Sequence, residues 1–188
     1  PGIFNQSIAE SRCSVTNINK QVICNPCAEF VNIPYTSCNL GSLNLSKFVI
    51  ETDGEKHFDW DGYSDAVRLA TRFLDSVIDI NEYPLEKIKE VTLGVRPIGL
   101  GVMGLAHMLY ILRIPYNSTK GIKLGEEIVK FTSLRSMQES VVMAKENTNE
   151  EPYKEEYSGA YPYFDKNTFF KANERFFEDD FCRDINIK

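Results

Sequence analysis

No apolar run in the 188 residues approaches 18. A helix needs about 20 such residues to cross a bilayer, so no membrane-spanning helix is predicted. No basic segment leads into a short apolar core at the start, so no signal peptide is read. There is no initiating methionine: the chain opens Pro1-Gly2, which reads as a piece of something longer. Positive charge is scarce, with 21 Lys and Arg against 27 Asp and Glu and a net charge of −6. No basic stripe is visible, which argues against nucleic acid or an anionic membrane as a partner. It does not exclude a nucleotide substrate, because backbone N–H groups can hold a small-molecule phosphate. Internal repeats and low-complexity tracts are absent. Cysteine is sparse and odd in number: Cys13, Cys24, Cys27, Cys38 and Cys182. That is not a dense disulfide framework. It points to a reducing cytoplasm, with catalytic or metal roles for the thiols.

What is present is an ordinary globular composition, 43% hydrophobic and 26% charged. One domain with a substantial core is expected. Residues 1–22 read as loop. "SLNLSKFVI", from Ser42, reads as containing a strand, and Asp53-Gly54 as the tip of a turn. Tyr63, Ala66, Val67, Ala70, Phe73, Leu74, Val77 and Ile78 form a stripe at helical spacing, capped by Asp59 or Asp61 and ended from Asn81 to Pro84. Residues 91–101 read as a strand entering a glycine-rich turn, followed by a short helix at about 102–112. A long amphipathic helix spans about 119–145. Leu124, Ile128, Phe131, Leu134, Met137 and Val141 form its buried side. The tail from 149 is acidic and aromatic, and "SGAYPYFD" reads as an ordered loop. The order of strand, helix, strand, helix, helix predicts an α/β layout with parallel strands. The strands are too few to close a barrel alone.

"GLGVMG", Gly99 to Gly104, matches the dinucleotide pattern G-x-G-x-x-G. That fingerprint needs a clean preceding strand and an acidic residue ending the next strand about 20 residues on. Pro97 would interrupt a central ladder. Glu126 and Glu127 stand at the right distance but inside the long helix. The simpler reading is that the glycines permit a tight strand-to-helix turn and close helix packing. His57 and His107 are single and separated, and read as surface and packing residues.

"ICNPCAEF", Ile23 to Phe30, admits three readings. Cys24-x2-Cys27 with Cys13 and Cys38 supplies four thiolates, but a structural zinc site has two knuckles and only one is present. A redox C-x-x-C starts a helix after a strand, and Val-Asn-Ile-Pro is not helical. Third, Cys27 acts alone: in an extended segment, period-two geometry puts Asn25, Cys27 and Glu29 on one face. A thiol, an amide and a carboxylate would then meet one substrate.

"NPCAEF", with "CNLGSLNL" beginning eleven residues after Cys27, resembles the catalytic segment of ribonucleotide reductase large chains. "RPIGLGVMGLAHMLYILRIPYNS" resembles the strand-turn-helix of the same family, which accounts for the glycines. The spacing is most similar to the adenosylcobalamin-dependent branch. A branch that uses a tyrosyl-radical partner protein is the alternative within the family, and a non-enzymatic thiolate zinc or interaction module the alternative outside it. Ala28 stands where the family often has glycine, and Cys24 where a small hydroxyl residue is common.

The resemblance implies that residues 1–188 are one fragment of a ten-stranded α/β barrel threaded by a central cysteine loop. It implies that Cys27 becomes a thiyl radical and takes the ribose 3′ hydrogen. Glu29 would act as general base on the 3′-hydroxyl, Asn25 would hold the substrate, and Cys38 would be one of two reducing thiols. The second thiol is expected outside this chain, Cys13 being a poor substitute. The implied partners are a ribonucleoside di- or triphosphate, the remainder of the barrel and a thioredoxin-like reductant. A homo-oligomer is compatible with the same resemblance. Because open strand edges leave backbone groups unpaired, the isolated piece is expected to be inactive and to associate.

Overall fold

The computed structural model describes residues 5–20, 22–147 and 162–172. Its centre is a parallel pair of strands, β3 (Asn39–Asn44) and β6 (Ile98–Met103), in register from Asn39 opposite Ile98 to Asn44 opposite Met103. Before them stand α1 (Gln6–Arg12) and a small antiparallel hairpin, β1 (Ile23–Cys24) with β2 (Val31–Asn32). Between β3 and β6 come a 3-10 turn (Leu45–Phe48), a second hairpin of β4 (Val49–Thr52) and β5 (Glu55–Phe58), and helices α2 (Trp60–Ile80) and α3 (Glu86–Val95). After β6 come α4 (Leu105–Ile111), α5 (Thr119–Asn147) and α6 (Lys166–Ala172). The mixed α/β character and the parallel pairing agree with expectation. The described residues form no closed barrel.

Alternation along the pair makes two unlike faces. Leu43, Leu100 and Val102 face the main core with Leu45, Tyr63, Val67, Met108 and Ile128. Gly41 is on this side, and a Cβ there would meet Leu74 at 3.4 Å. The other face carries Leu40, Ser42, Gly99, Gly101 and Met103, and Leu40 and Met103 are exposed.

Helix α2 forms where the apolar spacing places it. Asp59 is the cap, accepting the Gly62 N–H at 3.0 Å, and Asn81 ends the helix. Its apolar arc is wider than the arc this chain covers: Phe73, expected in the buried stripe, is 65% exposed. The 29-residue α5 matches the predicted long helix. Glu126 and Glu127 lie exposed within this helix, so neither ends a strand. His57 and His107 are both exposed.

Four expectations need correction. Residues 6–12 are helical, with the Asn5 side chain accepting the Ile8 N–H at 3.1 Å. The strand expected within 42–50 starts earlier, at Asn39, and a 3-10 turn separates it from β4. The Asp53-Gly54 tip was read correctly. Both residues have positive φ (53° and 81°), as a two-residue hairpin turn with the strands' twist requires. The strand expected over 91–101 is in its first half the helix α3. Val91, Thr92 and Val95 are strand-forming residues, but they share one buried helix face against Cys13, Val15, Val22 and Ile33. Arg96 stops that helix in a left-handed conformation, φ 49°. Its guanidinium binds Asp75 at 2.9 Å and Asp79 at 2.7 Å on α2. Finally, Gly99 and Gly101 lie inside β6. Only Gly104, φ 75°, occupies the turn into α4. Of "SGAYPYFD", residues 158–161 lie outside the described residues, as does most of the acidic tail. Tyr163 is described, and its N–H donates to the Gly94 carbonyl at 2.9 Å.

Helices α2 and α5 are joined by a charge cluster the sequence pattern did not reveal. The Glu139 side chain is 2% exposed and accepts from Arg68 at 2.7 Å and from Arg72. Arg72 also forks onto Glu146 at 2.7 and 2.9 Å. Burial alone would raise the Glu139 pKa. Hydrogen bonds and charge from Arg68 and Arg72 outweigh it and hold the carboxyl below its ordinary value. The stabilisation is therefore complete above the carboxylate range of an unfolded chain and is lost as pH falls through the lowered folded value. Arg72→Leu is expected to cost about 1–2 kcal/mol, because it removes one charged hydrogen bond from a buried carboxylate that Arg68 still pairs. Glu139→Gln should cost less, since the arginines it leaves reach water. Equal shifts of the urea midpoint for the two variants would contradict this account.

Candidate functional site

The segment from Asn25 to Phe30 is a hairpin loop and not an extended strand, so period-two alternation does not govern it. The Asn25 N–H donates to the Phe30 carbonyl at 3.2 Å, and the Ala28 N–H to the Asn25 carbonyl at 3.0 Å. Pro26 has a fixed φ and no N–H, which suits a turn corner. Ala28 then adopts a left-handed φ of 61°.

The bend still unites two of the three functional groups. The Asn25 Oδ1 accepts the Phe30 N–H at 3.1 Å, and the Asn25 Nδ2 donates to Glu29 Oε1. Cys27 sits at the exposed tip between them. The geometry thus comes from a side-chain clamp rather than from strand alternation.

Left-handed backbone costs a non-glycine residue roughly 1 kcal/mol. Ala28→Gly is therefore expected to stabilise the loop by about 0.5–1 kcal/mol, part of the gain being offset by the freer unfolded chain. Hydrogen exchange at the Ala28 and Phe30 amides measures it. Faster exchange in the variant would show that the φ angle is not strained.

Cys38 immediately precedes β3 and is half-buried. It lies over the open face of the parallel pair: a Cβ on Gly99 would stand 3.3 Å from its Sγ. A side chain at Gly99 would clash first with Leu40 and then crowd the thiol, so the glycine makes room for both. The Sγ donates weakly to the Asn39 carbonyl at 3.5 Å. Burial, and then the Glu29 charge, push its pKa up to about 11. That second cause ties Cys38 electrostatically to the loop. The thiol stays protonated at neutral pH.

Sequence reasoning missed what holds the residue before Cys38. Thr92, 1% exposed on α3, accepts the Ser37 N–H at 3.1 Å through Oγ1 and lies 3.1 Å from the Ser37 hydroxyl. The two residues are 55 apart, so no local pattern announces the contact.

Cys13 is buried in the separate cluster with Val15 and Val91, where burial raises its pKa. It does not join the loop. Cys182 lies outside the described residues. Among the described residues no three His, Cys, Asp or Glu side chains are grouped to hold a metal ion. No described helix is long and apolar enough to cross a membrane.

The model of the ribonucleotide reductase barrel domain matches residues 1–180. The chain is 46% identical over 146 residues to a vitamin B12-dependent ribonucleoside-diphosphate reductase of Thermoplasma acidophilum, covering 78% of this chain and 19% of that protein. It is 38% identical over 151 residues to a protein of the same description from Mycobacterium tuberculosis, covering 80% of this chain and 20% of the relative. A ribonucleoside-diphosphate reductase large chain of Cryptosporidium parvum is 33% identical over 164 residues, with 85% and 20% covered. The chain therefore spans about a fifth of the length of these curated relatives. By the extent of the match and the residues that carry it, this chain belongs to the ribonucleotide reductase family, within its α/β barrel domain.

Proposed function

We propose that the chain carries the radical-cysteine loop of a ribonucleoside-diphosphate reductase of the adenosylcobalamin-dependent kind. The observation that supports this most directly is the loop itself. Asn25 and Glu29 are hydrogen-bonded across the exposed Cys27, and Glu29 acts on the charge of Cys38. The vitamin B12-dependent relatives support the choice of cofactor, and their names support a diphosphate substrate.

Cys27 at an open loop tip fits a thiol that must be reached by a bulky radical source. Adenosylcobalamin, when bound, supplies that radical. No described residue is assigned to hold it.

The rest is done by this chain's side chains. Cys27, as a thiyl, takes the hydrogen from ribose C3′. Glu29 accepts the 3′-hydroxyl proton, which an acceptor-only carboxylate can do. Asn25 holds Glu29 and offers its amide to the substrate. The 2′-hydroxyl leaves as water. Cys38 and a second thiol outside this chain supply two electrons and become a disulfide. A thiol with a pKa near 11 still carries the proton that the departing hydroxyl requires. Cys27 then returns its hydrogen to C3′. A thioredoxin-like dithiol resets the pair.

The test is deoxyribonucleotide formation from ribonucleoside diphosphates by the protein that carries this chain. Turnover is expected only with adenosylcobalamin. Turnover without it, on addition of a separate radical-bearing protein, would assign the chain to the other branch.

A further inference from the structure

Cys24 takes no part in the chemistry above, yet it stands beside the residue that chemistry depends on. We infer that Cys24 is a resolving thiol: when a peroxide oxidises Cys27, Cys24 captures it as a reversible Cys24–Cys27 disulfide.

Cys24 is the last residue of β1, and both it and Cys27 are exposed free thiols. Residues three apart along an extended strand lie about 10 Å apart. A disulfide needs Cα atoms within about 4.4–6.8 Å. Here Cys27 lies inside the turn from Asn25 to Ala28, closed by the Ala28 N–H on the Asn25 carbonyl at 3.0 Å, and Cys24 is the residue just before that turn. That bend shortens the span. The hydrogen bonds that hold the loop run among its own residues, so closure need not disturb the core.

The other described cysteines are poor competitors. Cys13 is buried and Cys38 half-buried, and burial raises the pKa of both. The thiolate is the species that attacks a peroxide, so those two sulfurs are disfavoured both by burial and by staying protonated.

The chemistry balances. The Cys27 sulfur attacks one peroxide oxygen. An S–O bond forms, the O–O bond breaks, and one water leaves, giving a sulfenic acid. The Cys24 sulfur then attacks the Cys27 sulfur. The S–S bond forms, the S–O bond breaks, and a second water leaves. Two thiols have lost two electrons to the peroxide. A dithiol reverses the step by exchange. Without Cys24 the sulfenic acid proceeds to sulfinic and sulfonic acids, which a dithiol does not reduce. Formation of the disulfide does not depend on the radical reading; its value in preserving a radical thiol does.

The protein that carries this chain is treated with hydrogen peroxide, alkylated, digested and mapped by mass spectrometry. The wild type is expected to show a Cys24–Cys27 link that dithiothreitol returns to two thiols. In Cys24→Ser, the Cys27 thiol recoverable with dithiothreitol should fall to roughly a tenth of the wild-type amount or less. Equal irreversible loss in both proteins overturns the inference. So does a Cys27 linked to another cysteine, or one left unmodified. The measurement reads sulfur bonding and not turnover, so its failure is distinct from failure of the reductase reading.

Discussion

Cys27→Ser is expected to reduce deoxyribonucleotide formation by roughly 10⁴-fold or more, the scale of removing a group that forms the reacting intermediate. The reason is bond strength. The proposed step needs a side chain that gives up a hydrogen atom, takes one from carbon, and later returns it. A serine O–H bond is too strong to be opened by the same radical source. The loop should survive the change. Cys27 is exposed, and the bonds that shape the turn come from Asn25, Ala28, Glu29 and Phe30. An exposed substitution away from such contacts moves stability by no more than about 0.5 kcal/mol. The check pairs a turnover assay with thermal denaturation. An unfolded variant would leave turnover uninterpretable, so Cys27→Ala serves as a second probe of the same sulfur. Substantial turnover in either folded variant would remove Cys27 from the mechanism.

Glu29→Gln is the next largest effect expected, a loss of about 10²–10⁴-fold in turnover, the usual contribution of a positioned general base. The substitution is close to a pure change of charge, because a glutamine carbonyl can still accept the Asn25 Nδ2–H and keep the loop closed. It also carries a signature that a merely structural role would not produce. The Glu29 carboxylate, after burial, helps hold the Cys38 pKa near 11. Removing a nearby negative charge favours the thiolate, so the Cys38 pKa should fall in the variant. The pH dependence of Cys38 alkylation measures this directly. A turnover loss with an unchanged Cys38 profile would mean that the two groups are not coupled through space as the structure has them. Retained turnover would require a different base.

The candidate site could be named from the residues because they are local. Asn25, Cys27, Glu29 and Cys38 lie within fourteen positions, and their types declare what they can do. The helices α2 and α5 were legible for a similar reason. Their apolar stripes repeat every three to four residues, and Asp59 is a capping residue standing before one of them. Asp53-Gly54 likewise encodes its own turn. Partners distant in sequence were not legible. Val91, Thr92 and Val95 favour strand by type, but packing on Cys13, Val22 and Ile33 and the Arg96 clamp on α2 make them a helix. Intrinsic preference amounts to tenths of a kcal/mol per residue, and burial of several side chains outweighs it. The burial of Glu139 depended on two arginines about 70 residues earlier, and the anchoring of Ser37, next to Cys38, on a threonine 55 residues later. The conformation of the cysteine loop belongs to the same class. Asn25 and Glu29 are brought together by an amide clamp across a bend that includes a left-handed Ala28, not by strand alternation. Residue identity carries the chemistry that each side chain can perform. Which groups meet was decided by long-range packing, because contacts between distant segments leave no period in the local sequence.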